Sequence, residues 1–157
     1  AQADAFVGDV RALLCARSEV LLCLDLEGDL HNPTTMTTAN AVVFLQRVFD
    51  AVGRWPVVYQ GASKQRERMR KASDAERAVF GQCPNWTAAY GADPLKSVPP
   101  PPWSAWSMFQ YTNGTEGPRD RVRFPRLTKG FTRQAQDRSC FRGTAADLAA
   151  FWRTCGR

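Results

Sequence analysis

Blocks of apolar and polar residues follow one another along this chain, and the period within each block predicts its element. About the first seventeen residues carry Phe6, Val10, Leu13 and Leu14 at helical spacing. Val20-Leu21-Leu22-Cys23-Leu24 is too short and too uniformly apolar for a surface helix, and reads as a buried strand. A polar loop from Asp29 to Thr35 follows. A second helix is expected from near Thr37 to Asp50 or Ala51, with Val42, Leu45, Phe49 and Val52 as its apolar face and Gly53 as its cap. Trp55 to Tyr59 reads as a strand closed by a turn at Gln60-Gly61, and Ser63 to Lys71 as a solvated, charged helix. Asp74 to Phe80 predicts a short helix, Trp86 to Tyr90 a third strand, and Trp106 to Thr112 a fourth that ends at Asn113-Gly114. Between the last two lies a proline loop, Ser97 to Pro102, which cannot join a central strand. Arg119 to Gln136 is expected to be a long basic loop. The closing helix is capped by Thr144 with Asp147 three residues on, and presents Leu148, Phe151 and Trp152 inward. Strands alternating with helices predict an α/β class with a largely parallel sheet in one domain.

Composition narrows the chemistry. At 157 residues with 44% hydrophobic content, the chain suits one globular domain. No apolar stretch approaches the roughly 18 residues that span a bilayer, so no membrane span is expected. A single histidine, His31, leaves little for histidine-dependent nucleophilic catalysis or histidine metal sites, and it reads as a loop residue. Five cysteines show no zinc-like spacing, and Cys23 reads as a small buried hydrophobe. No cofactor or metal is expected. The net charge of +6 concentrates from Arg119 onward. It offers either a solvated surface or attraction to anionic polymers. Without interleaved aromatics in a recognisable motif, nucleic acid is not the expected partner.

The candidate chemistry starts at Asp25-Leu26-Glu27, where the apolar strand ends. Side chains alternate along a strand, so the two carboxylates share a face with backbones roughly 6.5–7 Å apart. Carboxyl groups at that spacing can converge on one sugar, and glycoside cleavage needs such a pair. Two nearby carboxylates do not ionise together readily, so one is expected to hold its proton longer. An acidic strand-to-loop turn is the plain alternative, since Gly28-Asp29 follows at once. Aromatic faces at Tyr59 and Trp86 suit pyranose rings, and Gln110 can hydrogen-bond hydroxyl or acetamide groups. Core packing is the competing reading for Tyr59, Trp86 and Tyr111, and the favoured one for Trp103, Trp106 and Trp152. Asp137 is also open to a salt bridge with Arg138.

Six segments in order carry a resemblance: Gln2-Ala3-Asp4-Ala5-Phe6, Asp25-Leu26-Glu27, Trp55-Pro56-Val57-Val58-Tyr59, Cys83 to Gly91, Phe109-Gln110-Tyr111-Thr112, and Asp137 to Thr144. Together they resemble the family 25 glycoside hydrolases, the cell-wall lysozymes or N-acetylmuramidases. The resemblance implies a (β/α) barrel with its site at the C-terminal ends of the strands. It implies that residues 1–157 are the C-terminal portion of that barrel, with the first strands and an early aspartate lying before Ala1. It also implies cleavage of the β-1,4 bond between N-acetylmuramic acid and N-acetylglucosamine. Glu27 matches the general acid, Asp25 its partner carboxylate and Asp137 a further acid. Tyr59, Trp86, Tyr90, Gln110 and Tyr111 match positions along the sugar groove. Peptidoglycan strands are the implied partner, with anionic wall polymers drawn to the basic C-terminal segment, and the implied setting is secreted or wall-associated. The competing expectation is a catalytically incomplete glycan-binding remnant of the same fold.

Overall fold

The computed structural model describes residues 2–16, 20–28, 32, 34–125 and 136–155. The side chains of Leu13 and Leu14 and the loop residue His31 lie outside the described residues. The chain runs α1 (Gln2–Ala16), β1 (Cys23–Asp25), α2 (Thr38–Val52), β2 (Val57–Gly61), α3 (Ala62–Lys71), α4 (Asp74–Gln82), β3 (Asn85–Ala88), β4 (Met108–Thr112), β5 (Arg138–Phe141) and α5 (Ala145–Cys155).

The strands form one sheet in the order β1-β2-β3-β4-β5. The first three pairings are parallel, as helical crossovers require, and β5 returns antiparallel to β4. Pairing continues past β1, where the Leu26 amide donates to the Tyr59 carbonyl at 2.9 Å. That bond holds the backbone between the two acids against the neighbouring strand.

Local signals set the helix ends. Thr37 caps α2 by accepting from the Asn40 amide at 3.1 Å, and Gly53 ends it at φ 73°, a left-handed conformation that glycine adopts freely. Ser73 and Glu76 form a reciprocal capping box on α4. Thr144 and Asp147 do the same for α5.

One core lies between the sheet and α1, α2 and α4. Leu22, Leu24, Leu26 and Val58 meet Val7, Phe44, Leu45, Val48 and Phe80 there. A second, aromatic core gathers Trp106, Phe109, Tyr111 and Phe124 behind β4. Trp103 and Trp106 are buried as the pattern predicts, their indole N–H groups donating to the carbonyls of Cys83 at 2.9 Å and Pro94 at 3.1 Å.

Several expectations shift. The buried face of α2 is Ala41, Phe44, Leu45 and Val48, with Val42, Phe49 and Val52 only half-buried. Phe49 instead stacks on Trp55 at 4.3 Å, which sits at the helix end and draws that ring away from the core. The turn expected at Gln60-Gly61 is strand, and α3 begins directly after it. Nor is α3 merely solvated, because Gln65, Arg68 and Met69 are buried. The Arg68 guanidinium reaches back to the Met36 carbonyl at 3.2 Å and the Thr38 hydroxyl at 3.3 Å. On α5, Leu148 and Trp152 remain over a third exposed, while Phe151 packs on Phe141 at 5.2 Å. Thus Trp152, expected in the core, is a surface residue.

Candidate functional site

Register and alternation together decide which side chains meet. Asp25 pairs with Tyr59, Tyr59 with Trp86, and Gln110 with Ser139. Each pair shares a sheet face, and two-residue steps along the strands keep Cys23, Asp25 and Gln110 on it. Helices cover the opposite face. On the uncovered face an open cavity of about 430 Å³ is lined by Cys23, Asp25, Glu27, Tyr59, Trp86, Gln110, Asp137 and Ser139.

The three acids reach this cavity from the two edge strands of the sheet. Asp25 is the last residue of β1, Glu27 lies two positions on, and Asp137 immediately precedes β5. All three are exposed at its rim. Gly28 follows Glu27 with φ 102°; a Cβ there would sit 2.7 Å from the Thr35 hydroxyl oxygen. Only glycine meets both the left-handed backbone and that close approach.

Although Asp25 is exposed, the cavity wall withdraws part of its carboxyl from water, and this partial desolvation raises its pKa from the ordinary aspartate value. The upward shift thus falls on Asp25, and its cause is desolvation rather than a neighbouring acid. Tyr59 is held well above the usual phenol value, first by burial and then by Tyr90, Glu27 and Asp25, which oppose a further negative charge. Tyr59 therefore stays a neutral donor, and its hydroxyl donates to Gln110 Oε1. Trp86 meets Tyr59 edge-on at 5.0 Å, and its indole N–H donates to Ser139 Oγ at 3.1 Å.

Cys23 is half-buried in the cavity wall, not in the core. Burial, then the Asp25 charge, pushes its thiol up to about 11, which keeps it protonated and a poor nucleophile near neutral pH. Among the described residues no group of three or more His, Cys, Asp or Glu is arranged to hold a metal ion.

Tyr111 does not join the site. It is the neighbour of Gln110 in β4, so alternation sends it to the covered face. There it is 4% exposed, packs on Phe124 at 5.3 Å and donates its hydroxyl to the Pro125 carbonyl at 3.1 Å. Tyr90 lies past the end of β3, exposed and outside the cavity lining, and adds to the resistance of Tyr59 to ionisation. Cys23 and Ser139 are pocket residues that sequence reasoning missed. The signal available for Ser139 was its two-residue spacing from Asp137.

A second cleft, of about 410 Å³, lies between α1 and α2 and is lined by Asp4, Arg11, Arg47 and Asp50 among others. Its Asp4 and Arg47 form an ion pair at 2.8 Å, so those charges already serve to join the two helices.

The family model described as glycosyl hydrolases family 25 matches residues 1–118. Among solved structures, a muramidase from Acremonium alcalophilum is similar at 21% identity and a TM-score of 0.56, covering 83% of this chain and 55% of that one. A family GH25 lysozyme from Aspergillus fumigatus is similar at 22% identity and a TM-score of 0.55, with 83% and 55% covered. The spore cortex lytic enzyme SleM of Clostridium perfringens reaches a TM-score of 0.62 at 16% identity, covering 93% of this chain and 46% of that one. At these identities the likeness is one of fold, and the chain spans about half the length of those structures. A comparison with curated proteins found no match.

Proposed function

Because the chain belongs to family 25 of the glycosyl hydrolases, we propose that it acts on peptidoglycan, cleaving the β-1,4 bond between N-acetylmuramic acid and N-acetylglucosamine. The observation that carries this reading is the meeting of Asp25, Glu27 and Asp137 around one open cavity floored by Tyr59 and Trp86. Aromatic faces bind the apolar faces of sugar rings, and carboxyl groups above them supply the proton and the negative charge that glycoside cleavage requires.

In this reading Glu27 protonates the leaving glycosidic oxygen. Asp25 stands beside the anomeric centre, where it stabilises developing positive charge or orients the acetamide group. Its raised pKa means that it gives up its own proton only above the ordinary aspartate range. Asp137 adds negative potential from the opposite end of the cavity. Tyr59 and Trp86 form the floor, with Tyr90 extending the groove beyond the cavity lining and Gln110 bracing Tyr59. Tyr111 is left out, since it supports β4 from behind. Exposed Arg119, Arg121 and Arg123 give the basic segment a surface for anionic wall polymers, and the protein's place is outside the cell or on its wall.

The test is clearing of a purified peptidoglycan suspension by this chain, with Glu27→Gln as control. New reducing ends on muramic acid, absent with Glu27→Gln, are the expected result. Retained binding to peptidoglycan without any clearing would replace hydrolysis by glycan binding alone. A folded protein that neither clears nor binds would overturn the glycan reading.

A further inference from the structure

Four side chains from four successive strands are gathered in an open ring on the cavity floor. Tyr59 of β2 donates to Gln110 of β4. Tyr59 also meets Trp86 of β3 edge to face at 5.0 Å and 71°. Trp86 in turn donates its indole N–H to Ser139 Oγ of β5 at 3.1 Å. Ser139 is the register partner of Gln110 on β4, beside the bulge between Gln110 and Thr112. All four line the same cavity.

The weakest member of this ring decides its geometry. Trp86 is only half-buried, so packing alone does not fix the rotation of its ring. An indole has one polar group, a donor, and a hydrogen bond at that group selects one ring orientation. Ser139 supplies the acceptor from β5, which pairs antiparallel with β4 from Met108 and Phe141 to Gln110 and Ser139, before a bulge between Gln110 and Thr112. Arg138 Nη1 beside it donates to the Pro125 carbonyl at 2.9 Å. This strand lies beyond residues 1–118, the part matched by the family model.

Resting on the reading of the cavity as a glycan site, we infer that Ser139 is a positioning residue. Its hydroxyl holds the Trp86 indole flat to an incoming sugar ring, while Gln110 holds Tyr59 in the same way. Ser139 serves binding of the saccharide, not proton transfer. A hydroxyl is therefore required at position 139, whereas the serine itself is not.

The experiment is calorimetric titration of the full chain with a soluble tetrasaccharide of alternating N-acetylglucosamine and N-acetylmuramic acid. It compares wild type, Ser139→Ala, Ser139→Thr, Trp86→Phe and the Ser139→Ala/Trp86→Phe double variant. Ser139 is exposed, so Ser139→Ala is expected to melt with the wild type. Without that bond the Trp86 ring must be ordered on binding, which predicts about five-fold weaker binding for Ser139→Ala. Ser139→Thr should bind as the wild type does, and the double variant no more weakly than Trp86→Phe. On peptidoglycan, Ser139→Ala should raise KM and leave kcat nearly unchanged. Wild-type affinity in Ser139→Ala, or losses that multiply in the double variant, would overturn the positioning role while leaving the glycan site intact. Absence of binding by the wild type itself would instead overturn the glycan reading, and this inference with it.

Discussion

Leu24, Leu26 and Val58 face the helices and are at most 6% exposed, whereas their sequence neighbours Asp25, Glu27 and Tyr59 face the open cavity. The same division recurs in β4, where Phe109 and Tyr111 are buried in an aromatic core and Gln110 lies between them on the other face. One face of the sheet thus packs against helices while the other carries the carboxyl groups and rings of the candidate site, with a single residue step between them. The difference shows why α1, α2 and α4 lie on one side: apolar surface must leave water, while exposed carboxyl groups and half-exposed rings are accessible only on a face left open. It also makes the two faces separable by mutation.

The largest effect belongs to the open face. Glu27→Gln should lower peptidoglycan hydrolysis by about 10²–10⁴-fold, the usual contribution of a general acid, while calorimetry finds the melting temperature unchanged. On the covered face, Leu24→Ala should do the reverse. Emptying a buried leucine position costs about 2–5 kcal/mol, readable in urea titrations, with turnover per folded molecule close to wild type. If Leu24→Ala lost turnover as completely as Glu27→Gln while still folded, the division between faces would fail.

Two tyrosines sharpen the comparison. Tyr111→Phe removes a hydroxyl that bonds the Pro125 carbonyl and should cost about 1 kcal/mol of stability, with saccharide affinity untouched. Tyr59→Phe releases Gln110 on the cavity floor and should weaken saccharide binding with little change in melting. The opposite pattern in titration and melting data would reverse the assignment of faces.

The smallest effect concerns Asp25. Its pKa is raised in the folded chain by partial desolvation, so ionisation disfavours the folded state. That penalty is absent at low pH, where folded and unfolded chains both hold the proton. It sets in as pH rises through the ordinary aspartate value of 3.8 and is complete above the folded value. Asp25→Asn should therefore melt with the wild type below that window and slightly higher above it. A stability gain that appeared only in acid would contradict the sign.

Much of the arrangement was legible from local chemistry. Thr37 and Gly53 bracket α2 and Thr144 begins α5, because caps depend on residues within one helical turn. Asp25 and Glu27 reach one cavity because a period of two is a property of any strand. The same period already ruled against placing both Gln110 and Tyr111 in the groove, since adjacent strand residues face apart. The burial of Arg68 was not legible, because a charged run looks solvated until the Met36 carbonyl and the Thr38 hydroxyl arrive from an earlier part of the chain. The exposure of Trp152 was hidden for the related reason that an apolar helix face records a preference for burial, not a partner.

By itself, then, the sequence did not show strand β5, but it determined the α/β order of elements as far as β4 and the closing helix, most helix ends, the sharing of one face by Asp25 and Glu27, and the excess of basic charge. These follow from interactions spanning a few residues, whose geometry the backbone fixes in advance. The tertiary structure alone decided that β5 returns antiparallel, that Asp137 closes a cavity opened by Asp25, and that Ser139 holds a tryptophan 53 residues away. Those outcomes depend on strand register and on which faces meet, and register is set only when the whole sheet packs against its helices.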